Sequence, residues 1–202
     1  MTLLRAGVIL LAYLIGSIPT GYWLGKGLRG IDVRQHGSGN LGATNVFRVL
    51  GTGPGLFTLC FDVLKGLVPV LVVQHKFPGE LPLAIGTGLA AIFGHTMSVF
   101  VGFRGGKGMA TSAGVFAALL PIPSALGIVV FVTVTVLTRY VSLGSLLGAL
   151  TLVGSSLMIP TPRPLVWTGV LAASLAFWKH RSNIQRLLNG TENRLEWKRK
   201  PS

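Results

Sequence analysis

The stretch Gly37-Ser-Gly-Asn-Leu-Gly-Ala-Thr-Asn45 gathers small, flexible and polar residues in a pattern that lets backbone N–H groups converge on an anion. Ser38, Asn40, Thr44 and Asn45 can add side-chain donors, and Arg48 offers a planar fork for phosphate. Gly37, Gly39 and Gly42 also fit the Gly-x-Gly-x-x-Gly template of dinucleotide-binding folds. That reading fails, because no strand precedes the glycines and no βαβ unit fits between the flanking apolar runs. Asp62 stands where a ribose-binding acid would, but inside the second apolar run. A second cluster sets Arg104 and Lys107 among Gly105, Gly106 and Gly108, just before a predicted helix. It is not a Walker A loop, since Gly108 replaces the hydroxyl residue and no glycine stands five positions before the Gly106-Lys107 pair. A helix start of this kind can nonetheless hold an anion through its N–H groups and the positive end of its dipole. The third segment, Lys179 to Glu192, places His180 and Asn183 on one predicted helical face. Arg139 and Ser142 lie at a further turn, in Arg-Tyr-Val-Ser.

Each cluster has a plainer reading. The first loop can be a solvated turn, the second a set of topology charges, the third an amphipathic surface helix, and the Arg139 turn a charge and a cap. Asp62 and Lys65 are i, i+3 neighbours inside an apolar run, where an ion is a functional candidate by default. A mutually neutralising structural pair explains them equally well. His95 reads as a hydrogen-bonded core histidine, and the lone Cys60 as a core residue of a helix. No Cys/His cluster for zinc, no carboxylate cluster for magnesium and no Gly-x-Ser-x-Gly elbow occurs, so neither metal nor cofactor is implied. No histidine is followed five residues later by aspartate, the arrangement of many acyl-CoA-dependent glycerolipid acyltransferases.

The elements that must position these residues are membrane helices. Of 202 residues 50% are hydrophobic and 11% charged, against about a quarter charged in soluble domains. Mean hydropathy is +0.65. Apolar runs cover 6–24, 53–74, 81–101, 108–138, 141–159 and 164–178. The first lacks a cleavage site followed by a soluble chain and reads as a span. Length suits one bundle over 1–202, and the basic stretch 196–202 reads as a candidate disordered tail. A net charge of +13 would suggest nucleic acid in a soluble protein. Here the basic residues fall in loops and tail, no stacking platform accompanies them, and positive-inside topology with anionic lipid explains the excess, so nucleic acid is excluded.

The run 108–138 is too long for one span of a core about 30 Å thick, and Pro121 and Pro123 break it. With the N-terminus outside and seven helices, fourteen basic residues fall inside and three outside. Merging the pair leaves seven inside and ten outside, so the positive-inside rule favours seven. The loops 25–52 and 102–107 and the C-terminal segment then open on the cytoplasmic face. A short helix over 109–120 would start there, as broken helices do around polar cavities. The fold expected is all-α and integral to the membrane, with some spans short or broken, N-terminus outside and C-terminus cytoplasmic.

Jointly these segments resemble the bacterial membrane acyl-phosphate:glycerol-3-phosphate acyltransferases. The likeness rests on the glycine loop with Arg48, on Gly94-His95 followed by Gly-Gly-Lys-Gly and Ala-Thr, and on His180-Arg181 with Asn183 and Asn189-Gly-Thr-Glu. Smaller echoes are Ser17-Ile-Pro-Thr-Gly and Arg139-Tyr-Val-Ser; Met97 and Ser98 depart from the family's usual aromatic and proline. The resemblance implies a seven-helix enzyme of the bacterial inner membrane. It would move a fatty acyl group from acyl phosphate to the 1-hydroxyl of glycerol 3-phosphate, with membrane lipid around it and no cofactor. By matching position, Ser38 and the backbone of Gly39–Gly42 hold one phosphate while Thr44 and Asn45 shape the loop. Arg48 and Lys107 hold the other phosphate and steady the leaving group, and His180 and Asn183 position glycerol phosphate. The base is either His180 or the substrate's own phosphate. The rival from another class is a transporter of an anionic phosphate metabolite, favoured by broken helices and the Asp62–Lys65 pair. Missing internal repeats and outer polar groups count against it.

Overall fold

The computed structural model describes residues 2–195, and every regular element among them is helical. The tail expected over 196–202 lies outside those residues. The chain forms two compact units that meet at the Leu119–Leu120 bond.

The first unit holds α1 (Thr2–Ser17), α2 (Thr20–Arg29), α3 (Ala43–Leu50), α4 (Thr52–Lys76), α5 (Leu81–Thr96) and α6 (Met109–Leu119). Water does not drive helices together inside a bilayer, so small residues that admit close backbone approach do much of the packing. A Cβ on Gly94 of α5 would stand 2.2 Å from the Tyr13 carbonyl oxygen of α1, and one on Gly16 would stand 2.2 Å from that of Ala91. Gly66 and Gly114 bring α4 and α6 together in the same way, with would-be Cβ contacts of 2.2 and 2.0 Å to backbone oxygens. Beneath the first glycine loop lies a small apolar core of Val33, Leu41, Val46, Leu50 and Val101.

The second unit holds α7 (Pro121–Thr138), α8 (Val141–Met158), α9 (Arg163–Lys179) and α10 (Arg181–Leu188). Gly127 and Gly148 face each other across α7 and α8, and a Cβ on either would stand 2.7 Å from the other's carbonyl oxygen. Arg139 makes the turn between them in a left-handed conformation, φ 64. The polar α10 lies against α8 and α9.

Among the described residues, five helical stretches are long and apolar enough to cross a membrane: Thr2–Arg29, Thr52–Lys76, Leu81–Val101, Pro121–Thr138 and Val141–Met158. The eleven residues of α6 reach only about 16 Å at 1.5 Å each. The long run does divide at Leu120, just before Pro121 and Pro123. The first run spans as expected, as the stretch Thr2–Arg29, but it is bent: Pro19 disfavours helix at Ile18, so α1 stops at Ser17 and α2 begins at Thr20. The expectation for Cys60 needs correcting: it is exposed rather than in the core, because on a membrane helix the outward face is as apolar as the inward one.

Candidate active site

Asn45 holds the first glycine loop in shape. Its buried side chain, in the first turn of α3, accepts the Ser38 N–H at 2.7 Å through Oδ1. Its Nδ2 donates to the carbonyls of Val33, His36 and Asn40 at 2.9, 3.1 and 2.9 Å. Such saturation defines a single loop conformation. Gly37 has φ +60, and a Cβ there would lie 2.4 Å from Asn45 Oδ1, so only glycine fits. Asn40 Oδ1 accepts the Gly42 N–H at 2.8 Å and fixes the approach to α3. The result leaves Gly37, Ser38 and Gly39 exposed, Thr44 half-buried at the start of α3, and Arg48 half-buried in its last turn.

The loop's outer limb is braced by groups that the sequence did not flag. Asp32 caps the turn Val33–Gln35, accepting the Arg34 N–H at 2.9 Å, and forms an ion pair with the Arg34 guanidinium at 2.7 Å. The hydrogen bond from Arg34 holds the Asp32 carboxyl below the usual carboxylate range. The same guanidinium lies 5.0 Å above the Tyr22 ring of α2.

The second loop is pressed onto the end of α5. The Gly106 N–H donates to the His95 carbonyl at 3.0 Å. A Cβ on Gly105 would stand 2.0 Å from that carbonyl oxygen, and one on Gly106 2.3 Å from His95 Nε2. Glycine is therefore required by close approach here. Gly108, at φ +80, turns the chain into α6. Lys107 is half-buried beside that helix start, and Arg104 is exposed.

In the second unit His180 stands at the junction of α9 and α10, so it and Asn183 do not share one continuous helix as the spacing suggested. Both are buried. His180 Nδ1 lies 2.7 Å from the Ala176 carbonyl oxygen. A carbonyl only accepts, so Nδ1 carries the proton and Nε2 holds the lone pair in the neutral ring. Glu192 was legible only as the last letter of Asn-Gly-Thr-Glu, yet it organises this region. Its Oε1 accepts from Ser142 at 2.8 Å and Asn183 at 2.6 Å, and its Oε2 from Arg186 at 2.8 Å. Burial pushes the Glu192 carboxyl up, but those three hydrogen bonds more than reverse it and hold it below its ordinary range. The Ser142 proton is thus committed to Glu192. The exposed Arg139 gives its carbonyl to the Leu195 N–H at 2.8 Å.

Fold and site together define a multi-pass membrane protein with two glycine loops at helix N-termini, the second carrying Lys107. Comparison with known proteins makes the class specific. The chain matches the glycerol-3-phosphate acyltransferase family over residues 6–190, and it belongs to that family. It is 47% identical over 189 residues to the glycerol-3-phosphate acyltransferase of Halalkalibacterium halodurans, covering 91% of this chain and 92% of that one. The enzyme of Shouchella clausii is 46% identical, with 93% and 94% covered. Among solved structures, PlsY (YgiH), an integral membrane glycerol 3-phosphate acyltransferase, is similar in its glycerol 3-phosphate form. That match has TM-score 0.91 and 37% identity over 95% of this chain and 96% of that one. Its lysophosphatidic acid form gives TM-score 0.87 and 36% identity, with 95% of each chain covered.

Proposed function

We propose that this protein transfers a fatty acyl group from acyl phosphate to the 1-hydroxyl of glycerol 3-phosphate, releasing lysophosphatidic acid and inorganic phosphate. The observation that carries the reading is the likeness to one membrane enzyme in two forms, glycerol 3-phosphate and lysophosphatidic acid, an acyl acceptor and its acylated product. The donor rests on the resemblance noted from sequence and on the surplus of phosphate-holding groups.

The chemistry suits the residues. The Ser38 hydroxyl and those N–H groups of the Gly37–Gly42 loop not already donated to Asn45, His36 and Asn40 cradle one phosphate, with Asn45 and Thr44 shaping the cradle. Arg48, Lys107 and the Gly105–Gly108 backbone other than the Gly106 N–H, which His95 holds, take the other, and Arg104 adds positive potential at its edge. As the carbonyl carbon is attacked, charge gathers on the departing phosphate, and the Lys107 ammonium stabilises it most where it is greatest. Phosphate is a good leaving group, so no acyl-enzyme is required. His180 and Asn183 orient glycerol 3-phosphate, with Ser142 and Arg139 supporting them. The hydroxyl proton goes to His180 Nε2 or to the substrate phosphate, whose second pKa is about 6.

Seven spans (α1 with α2, then α4 to α9), with the N-terminus outside and the C-terminus in the cytoplasm, fit the charge distribution. Trp167 and Trp178, exposed toward the two ends of α9, suit a pair of interfacial anchors. The membrane is then the bacterial inner membrane, and the acyl chain stays in the bilayer while its phosphate head reaches the inner interface.

The test is product identification. Purified protein in lipid, given palmitoyl phosphate and glycerol 3-phosphate, is expected to form lysophosphatidic acid acylated at the 1-position. Product from palmitoyl-CoA alone would replace the donor. No product from either, in a folded sample, would overturn the reading.

A further inference from the structure

A buried ion pair in the first unit has no part in the roles above. Lys65 Nζ and Asp62 Oδ1 stand 2.7 Å apart on α4, with side-chain exposures of 2% and 3%. Charges placed there give up hydration, and apolar residues of similar volume usually hold a fold as well. The other partners of this pair lie off α4. Lys65 Nζ also donates to the Ile18 carbonyl at 2.9 Å, which is the carbonyl at the α1–α2 break. Thr20 Oγ1 donates to Asp62 Oδ1 at 3.4 Å, and His95 Nδ1 lies 3.7 Å from the same oxygen. The opposite edge of the His95 ring meets the Lys107 loop, where a Cβ on Gly106 would stand 2.3 Å from Nε2. A cavity of about 10 Å³, room for one water, lies between the pair, His95, Gly106 and Leu41 of the first loop. The Leu41 carbonyl in turn abuts Gly21 of α2, where a Cβ would stand 2.4 Å away. Both glycine loops thus border the pair, one through His95 and one through the segment after the break.

We propose that Asp62, Lys65 and His95 are positioning residues for the phosphate loops. The ion pair pins the α1–α2 break, and His95 is the strut that sets where the Gly105–Gly108 loop presents Lys107. This rests on the phosphate-holding role proposed for Lys107. A charged pair serves better than apolar filling because the ammonium adds a second donor to the Ile18 carbonyl, beside the Thr20 N–H, while the carboxylate faces the imidazole at 3.7 Å. Looser loops would then cost catalysis without costing the fold.

The test is the double variant Asp62→Leu/Lys65→Met of the full chain in detergent. Thermal melting, calorimetric binding of inorganic phosphate, and kcat with KM for palmitoyl phosphate are measured together. A Tm close to wild type is expected, with kcat/KM lower by about tenfold or more and weaker phosphate binding. A folded double variant with wild-type kinetics and phosphate affinity would overturn the proposal, leaving the pair as filling. If the double variant does not fold, His95→Gln carries the test with the same expected loss, and unchanged kinetics there would overturn it. A wild type that binds phosphate but releases none from palmitoyl phosphate would remove the donor assignment alone. Weaker phosphate binding by the variant would still support positioning.

Discussion

Lys107 is the residue on which the leaving-group argument depends. An ammonium that compensates charge only as it develops contributes to the transition state more than to substrate binding. Lys107→Ala is therefore expected to lower kcat by about a hundredfold or more, the scale of losing one preorganised donor. Steady-state kinetics with both substrates checks this, and near-normal turnover would exclude the role. Asn45 offers a finer test. Asn45→Asp keeps the shape and can still accept the Ser38 N–H, but it cannot donate to three carbonyls. The Val33 and His36 carbonyls each keep a backbone N–H, but losing the side-chain donor and setting a carboxylate against three carbonyl oxygens still costs about 1–3 kcal/mol in all. The variant is expected to melt lower and to show raised KM values, whereas Thr44→Ser should do neither. Glu192 adds a pH dependence. A carboxyl held low in the folded state stabilises it fully above the unfolded pKa and loses that contribution as pH falls through the folded value. Melting curves against pH should show wild type losing Tm on the acid side, and Glu192→Gln starting lower with a shallower acid slope.

At the scale of elements, close approach matters more than flexibility. Gly105 lies in the loop before α6 and Gly154 in the interior of α8, and a Cβ on Gly105 would strike the His95 carbonyl while Gly154 has open space around it. Gly105→Ala is expected to displace the Lys107 loop and cut kcat/KM by about tenfold or more. Gly154→Ala should raise stability by about 0.5–1 kcal/mol and leave the kinetics alone. Enzyme assays and thermal melts on the pair separate the two causes. The helix boundaries at Leu120 and Ser17 both come from prolines, and both were present in the sequence as Pro121 and Pro19. The first was legible because excess length forced a choice; the second was hidden because a bent run still spans. The residues that aim the site were harder to read. Asn45, Glu192 and His95 act on partners many positions away or on backbone atoms, and neither spacing nor composition carries that information. Cys60 was misplaced for a different reason: apolar periodicity in a bilayer does not distinguish core from lipid.

For the whole molecule, the proposed topology makes the excess of positive charge and the run of apolar helices consequences of one rule, the sorting of basic loops to one side of a membrane. The run of apolar helices was readable from residue counts, as was the grouping of phosphate-binding residue types in the Ser38 and Lys107 loops. Seven spans predict a fluorescent C-terminal green-protein fusion and an active alkaline phosphatase fused at the Lys76–Glu80 turn. An inactive phosphatase at that turn would contradict the topology. The central claim is that the acyl group passes directly from phosphate to glycerol 3-phosphate, at a site built to hold two phosphates and no acyl-enzyme. It is tested most directly by rapid-quench measurement of phosphate release from palmitoyl phosphate, with and without glycerol 3-phosphate. Direct transfer predicts no phosphate burst without the acceptor, and phosphate and lysophosphatidic acid formed in equal amounts with it. A stoichiometric burst in the absence of glycerol 3-phosphate would contradict it.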